Sequence, residues 1–189
     1  MQQGTARQVW SALALALGLA APAAAQELPG LREARDLVFA ERGAIAWEVI
    51  PHESLTPEDL ATLDQINRIQ PQPYYAAMAI HPGSGLASDR SALAANYHDE
   101  DNARAAALAA CGEGCVVVLV IRPEGWQPGR PLQLSAEATA ALRGDYRALP
   151  RRARAMAISP STGQWGIGAD REAAVAACGA PDCRAVVEG

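Results

Sequence analysis

The sequence predicts an α+β fold: duplicated strand–strand–helix–strand units that form one mainly antiparallel sheet packed with helices and stabilised by disulfides. Three observations predict it. Residues 76–120 (AAMAIHPGSGLASDRSALAANYHDEDNARAAALAACGEGCVVVLV) and 155–187 (AMAISPSTGQWGIGADREAAVAACGAPDCRAVV) run through the same features in the same order. Each has an A-M-A-I strand, a Pro/Ser/Gly turn, a second strand, an Ala-rich helix ending in A-A-C-G, a second Cys and a valine strand, as a true internal repeat does. Within each A-M-A-I strand the period-2 rule puts Met78 and Ile80 opposite Ala77 and Ala79, and likewise Met156 and Ile158. The four cysteines fall at the same two places in each repeat.

The elements follow in chain order. Residues 31–41 read as a helix closed by Gly43, and 44–50 as a strand. Thr56-Pro57-Glu58-Asp59 is a helix start, with Thr at the N-cap and Pro at the first helical position. Leu60, Leu63, Ile66 and Ile69 give that helix its apolar side. Residues 75–81 make the first repeat strand, and Pro82-Gly83-Ser84-Gly85 and Pro160-Ser161-Thr162-Gly163 carry hairpin-turn chemistry. Asp99 and Asp170 suit N-caps with acidic residues in the first turn. Twelve positions separate Asp99 from Cys111 but eight separate Asp170 from Cys178, so the first helix is longer by about one turn. Residues 116–121 are a continuous apolar run, the pattern of a central strand covered on both faces. Ser135 caps a further helix in which Ala138, Leu142 and Tyr146 fall at i, i+4 and i+8. The Pro/Gly-rich stretches 70–74 and 122–131 are connections.

Composition bounds the class of protein. Arg7 is the only charge before Glu27, an apolar run spans residues 9–21, and Ala23-Ala24-Ala25 gives a small-x-small cleavage pattern. This is the grammar of a Sec signal peptide over residues 1–25, and the run falls short of the roughly 20 apolar residues a bilayer span needs. The expected destination is the periplasm or the extracellular space, with no transmembrane segment after cleavage. Removing 25 of 189 residues leaves 164, and loss of Arg7 takes the net charge from −5 to −6. A chain of that length is expected to form a single globular domain over residues 26–189, containing the two repeats at about 75–122 and 153–187. The acidic balance argues against nucleic acid as a partner. All sixteen basic residues are Arg. Without Lys there is no internal Schiff base, which removes pyridoxal-phosphate enzymes, and no ordinary P-loop.

The run A-x-A-I-x-P-x-x-G, an aromatic/Gly strand, A-x-x-A-A-L-A-A-C-G and then C-V-V-V resembles the domain-of-unknown-function family 4189. These are small secreted bacterial domains with two such helix-plus-Cys units. The resemblance covers about residues 75–122 and 153–187 and leaves out 26–70 and 128–152. It implies an exported α+β domain with disulfides and carries over no catalytic residue.

The chemistry-bearing candidates are few. Cys111, Cys115, Cys178 and Cys183 allow three pairings; the repeat favours the local pairs Cys111–Cys115 and Cys178–Cys183. Metal binding competes, but neither spacing is C-x2-C and no His lies nearby. His52, His81 and His98 form no H-x-H or H-E-x-x-H pattern. His81 and His98 belong to opposite ends of a hairpin, and His98 reads as a local surface contact beside Asp99. Ser84 lies outside any G-x-S-x-G elbow, and Asp99-Glu100-Asp101-Asn102 lacks the alternation and Gly of a calcium loop. One stretch stands out in an acidic chain: Arg143, Arg147, Arg151, Arg152 and Arg154, whose guanidinium forks suit carboxylates and phosphates. The expectation is therefore a non-catalytic exported module, with no cofactor, binding a protein or a small anionic ligand at the cell envelope. The alternative is a small secreted hydrolase whose site assembles only in three dimensions.

Overall fold

The computed structural model describes residues 27–40 and 43–189; the signal peptide assigned to residues 1–25 lies outside the described residues. The elements are α1 (Leu31–Leu37), β1 (Ile45–Val49), α2 (Pro57–Ile69), β2 (Ala76–Ile80), β3 (Ser91–Ala94), α3 (Glu100–Cys111), β4 (Val116–Pro123), α4 (Ala136–Arg143), α5 (Asp145–Ala148), β5 (Ala155–Ile158), β6 (Trp165–Gly168), α6 (Arg171–Cys178) and β7 (Arg184–Glu188). The fold is α+β, with antiparallel strands and helices.

The strands form two sheets where one was expected: a four-stranded sheet in the order β1-β4-β2-β3, and a three-stranded sheet in the order β6-β5-β7. Each A-M-A-I strand is the hub of its own sheet, paired on one side with its hairpin partner and on the other with its valine strand. Both hubs carry a register break at the same point, between Met78 and Ala79 and between Met156 and Ala157. β1 adds a fourth strand on the free edge of β4. On the matching edge of β7 the main chain of Pro29 accepts one bond, from the Glu188 N–H.

The alternation seen in the sequence sets the layers. Ala77 and Ala79 face α3 with Ala103 and Ala107, and Ala155 and Ala157 face α6 with Ala174. Alanine on both surfaces lets helix backbone settle close to strand backbone. In the second sheet the approach is closer still: a Cβ on Gly166 would lie 2.2 Å from the Cys178 nitrogen, and one on Gly168 2.4 Å from the Ala174 nitrogen. Opposite these two glycines' places in the first sheet stand Ala92 and Ala94. On the other face, Met156 and Ile158 pack under α1, α4 and α5, against Ala34, Val38, Leu142 and Tyr146. Ile80, with half-buried Met78, shares its face with Leu63 of α2 and with Leu119 and Ile121.

Helix boundaries follow local chemistry with two departures. Thr56 and Asp59 form a capping box, and Asp99, Ser135 and Asp170 each accept a backbone N–H three residues on. The first helix ends at Leu37 instead of running to residue 41, because Val38 turns extended (ψ 157°) to enter the second core. The helix expected to carry Ala138, Leu142 and Tyr146 breaks at Gly144 (φ −99°, ψ −93°) into α4 and α5, yet all three side chains stay buried. Met78 is only half-buried, unlike Met156, because α2 leaves the β2–β3 side of its sheet partly uncovered.

Candidate functional site

Each of the two strand–strand–helix–strand segments ends its helix in a disulfide, Cys111–Cys115 and Cys178–Cys183, and no cysteine is free. The loop each bridge closes is pinned to the preceding hairpin turn by the residue just after the A-M-A-I strand. In the first segment the His81 ring lies over Gly114. In the second, Ser159 donates its hydroxyl proton to Asp182, whose other carboxylate oxygen accepts from the Ser161 N–H at 2.9 Å. The Ser159 hydroxyl and the Ser161 amide hold the Asp182 pKa down to about 2.

His98 departs most from its sequence reading: it is 1 % exposed and bridges the two halves of the molecule. Its Nδ1 accepts the Ser135 N–H at 3.1 Å, which fixes the proton on Nε2, and Nε2–H donates to the Gln164 carbonyl at 3.0 Å. Burial lowers its pKa against the weaker pull of Asp99 and Asp182. The Ser159 N–H and His98 both donate to the Gln164 carbonyl and Asp182 accepts from the Ser159 hydroxyl, but the three do not form the bonds of a hydrolytic triad. The Ser159 hydroxyl faces Asp182 and accepts from Thr162, and the residue is fully buried. Both ring nitrogens of His98 are committed to main chain.

Two groups of arginines stand out. Arg122 lies between Glu48 and Glu100 and over the Trp126 ring; its bonds to Glu100, then to Glu48, push its pKa up. Glu100 also holds Arg104, and although burial opposes ionisation, its bonds to Arg122 and Arg104 keep its pKa below the ordinary value. Arg68 pairs with Asp64, and Arg171 with Glu188.

The second group lines an open cleft of about 1090 Å³, with Arg32, Arg35, Asp36 and Leu31 from α1 on one wall and Arg143, Arg147, Leu149, Arg151 and Arg154 on the other. Four of the five arginines singled out in the sequence thus converge. Arg152 is absent from the lining; it sits exposed in a left-handed turn (φ 70°). Arg154 is largely a structural member: buried, it lies over the Tyr146 ring and donates from Nε to the Gly189 main-chain oxygen at 2.9 Å. Arg32 and Arg35 went unnoticed in the sequence because they lie more than a hundred residues before the Arg-rich stretch. Their contribution depends on α1 crossing to the second core. Among the described residues, Arg32, Arg35, Arg147 and Arg151 have no carboxylate within 4.0 Å, and all four are exposed. Among the described residues, the four exposed guanidiniums of Arg32, Arg35, Arg147 and Arg151 share this lining with the carboxylate of Asp36, a local concentration of positive charge on an acidic chain.

Among the described residues no group of three or more His, Cys, Asp or Glu is placed to hold a metal ion, and no helix is long and apolar enough to cross a membrane. Comparison with family models, curated proteins and solved structures finds no match for this chain.

Proposed function

We propose that this chain is an exported bacterial module that binds an anionic partner at the cell envelope through the arginine cleft, without catalysing a reaction on it. Export rests on the signal-peptide pattern of residues 1–25, and two disulfides suit an oxidising compartment. We also propose that residues 75–122 and 153–187 are two copies of one unit, related to the domain-of-unknown-function family 4189. Matching strand order, register break and disulfide position support that reading.

The observation that carries the binding role is the cleft itself. Exposed Arg68 and Arg171 meet carboxylates of the same chain, whereas four exposed guanidiniums here share one concave surface and meet none among the described residues. Arg stays protonated at any physiological pH and so cannot shuttle protons, but it binds carboxylate and phosphate oxygens in charge-assisted, often bidentate pairs.

The test is to exchange Arg147 and Arg151 for Gln and measure retention of the mature protein on envelope fractions at low and moderate salt. Both side chains are exposed, so the thermal midpoint should stay within about 2 °C of the parent, as for surface substitutions outside the core. Loss of a salt-sensitive retention is the expected result. Undiminished retention by the double variant would reject the cleft as the binding site.

A further inference from the structure

We infer that a second groove, where the two halves of the molecule meet, binds a neutral saccharide of one or two sugar rings. Its volume is about 450 Å³, and it shares no lining residue with the arginine cleft. Three separate stretches of chain build it. Asn96 comes from the segment after β3, Glu137 from the first turn of α4, and Thr162, Gly163, Gln164 and Trp165 from the β5–β6 turn and the start of β6.

The frame of the groove is set before any ligand arrives. Asn96 takes a left-handed conformation (φ 64°), which Asn tolerates better than most residues. Gly163 (φ +73°) lies directly on its main chain, so that a Cβ there would stand 2.8 Å from the Asn96 oxygen. The Gln164 carbonyl accepts from the Ser159 N–H at 2.8 Å and from His98 Nε2–H at 3.0 Å. The Thr162 hydroxyl donates to Ser159 Oγ at 2.7 Å and accepts the Gln164 N–H at 3.2 Å. A turn fixed in this way removes part of the ordering cost of binding.

The groups left over select the ligand. Asn96 Oδ1 accepts the Glu137 N–H at 3.3 Å, which leaves the Nδ2 amino group to donate. Among the described residues the Gln164 side-chain amide, the Glu137 carboxylate and the Trp165 ring N–H make no hydrogen bond, and Gln164 and Glu137 are exposed. Donors and acceptors therefore stand side by side. A hydroxyl both donates and accepts, and a planar amide or carboxylate presents two polar atoms together, as adjacent hydroxyls on a sugar ring require. The half-buried indole of Trp165 adds an apolar surface whose negative ring face complements the C–H side of such a ring.

Other ligands fit less well. An anion would meet Glu137, the one charged residue of the lining. A quaternary ammonium would use the carboxylate and the indole but none of the donors. An acyl chain would find, besides the indole, only small apolar residues such as Ala95 and Ala177. An extended peptide is held through a row of free main-chain groups, whereas the free groups here are side chains.

NMR titration of the mature protein, followed through the indole N–H resonances, tests the inference, and Trp165→Phe identifies the Trp165 resonance by its loss. The probes are maltose, cellobiose and N,N′-diacetylchitobiose, with choline and tetra-alanine as the cationic and peptide alternatives. At least one disaccharide should shift the Trp165 resonance with a Kd of about 1 mM or tighter, while Trp47 and Trp126 stay unshifted. Gln164→Ala and Glu137→Ala, both at exposed side chains, should each weaken that binding about tenfold. Glu137→Gln keeps an acceptor and should change it by less than about threefold. The Arg147/Arg151 double variant should bind the disaccharide as the parent does, so this site stands or falls apart from the arginine cleft. Shifts with choline or tetra-alanine but with no disaccharide, disaccharide binding that survives both alanine variants, or no response to any probe would overturn the inference.

Discussion

The two sheets solve the same packing problem with different reserves. In both, an A-M-A-I hub turns alanines to a helix and Met and Ile to the opposite side. The first sheet keeps Ala92 and Ala94 beneath a twelve-residue helix, while the second replaces them with Gly166 and Gly168 beneath an eight-residue helix. On the far face the relation reverses. Met156 is sealed under α1, α4 and α5, whereas Met78 borders a groove of about 220 Å³ that α2 leaves open, beside exposed Leu93 and Ile66. A shorter helix has less surface to bury, and the second sheet offsets this by closer approach and by burying Met156 and Ile158 on its other face. The first sheet has a longer helix and a fourth strand, and tolerates a looser face. Positions that match in strand and register therefore need not carry equal energetic weight.

That inequality can be broken at three places. The largest effect should come from the methionines. Met156→Ala empties a fully enclosed site and should cost about 2–5 kcal/mol, while Met78→Ala, at a face already open to water, should cost clearly less. Paired urea unfolding curves decide it, and equal losses would show that the open groove is as tightly packed as the closed face. Next come the glycines. Gly166→Ala pushes a methyl group into backbone atoms of α6 that cannot swing aside and should cost about 1–3 kcal/mol, as overpacking does. Ala92→Gly in the first sheet should cost about 1 kcal/mol or less. If Gly166→Ala is neutral, the close approach of α6 is not a constraint.

The smallest effect concerns the joint between the two halves. The His98 pKa is lowered in the folded protein by burial, so the unfolded chain binds the proton more readily. The stability His98 contributes is complete above its unfolded pKa of about 6.5 and declines as pH falls below that, towards the folded pKa. The slope from this one group should not exceed about 1.4 kcal/mol per pH unit. Protonation would also set an Nδ1–H against the Ser135 N–H. Unfolding curves at pH 7.5 and 5.5 should differ for the parent and differ less for His98→Asn, and an unchanged difference would place the acid sensitivity elsewhere.

What the sequence disclosed was local. Caps at Thr56, Asp99, Ser135 and Asp170, the alternation about Met78 and Met156, and cysteines four and five residues apart all act within a few positions of chain. What it withheld depended on distant packing. The first helix stops at Leu37 because Val38 is wanted in a core built mostly from residues beyond 130. His98 looked like a surface neighbour of Asp99 because its true partners are the main chain of Ser135 and Gln164, and main-chain groups leave no signature in residue type. The strands divided into two sheets because alternation specifies faces and not which edges meet. Of the cleft, the wall from 143 to 154 was legible as a run of arginines. The wall from α1 was not, since two arginines in a seven-residue helix are unremarkable until that helix is placed.

The placement of α1 has a mechanical consequence. Both disulfides close loops within a few residues, so no covalent cross-link joins the first half of the chain to the second. A protease cutting once in the connection between β4 and α4 would leave two fragments, and a non-reducing gel would resolve them. In native solution they should not part, because the amino-terminal fragment threads Ala34 and Val38 into the core of the carboxy-terminal one, and His98 spans the remaining seam. The nicked protein would then behave as an interlocked heterodimer made from one gene, with both walls of the arginine cleft still facing each other although they belong to different polypeptides.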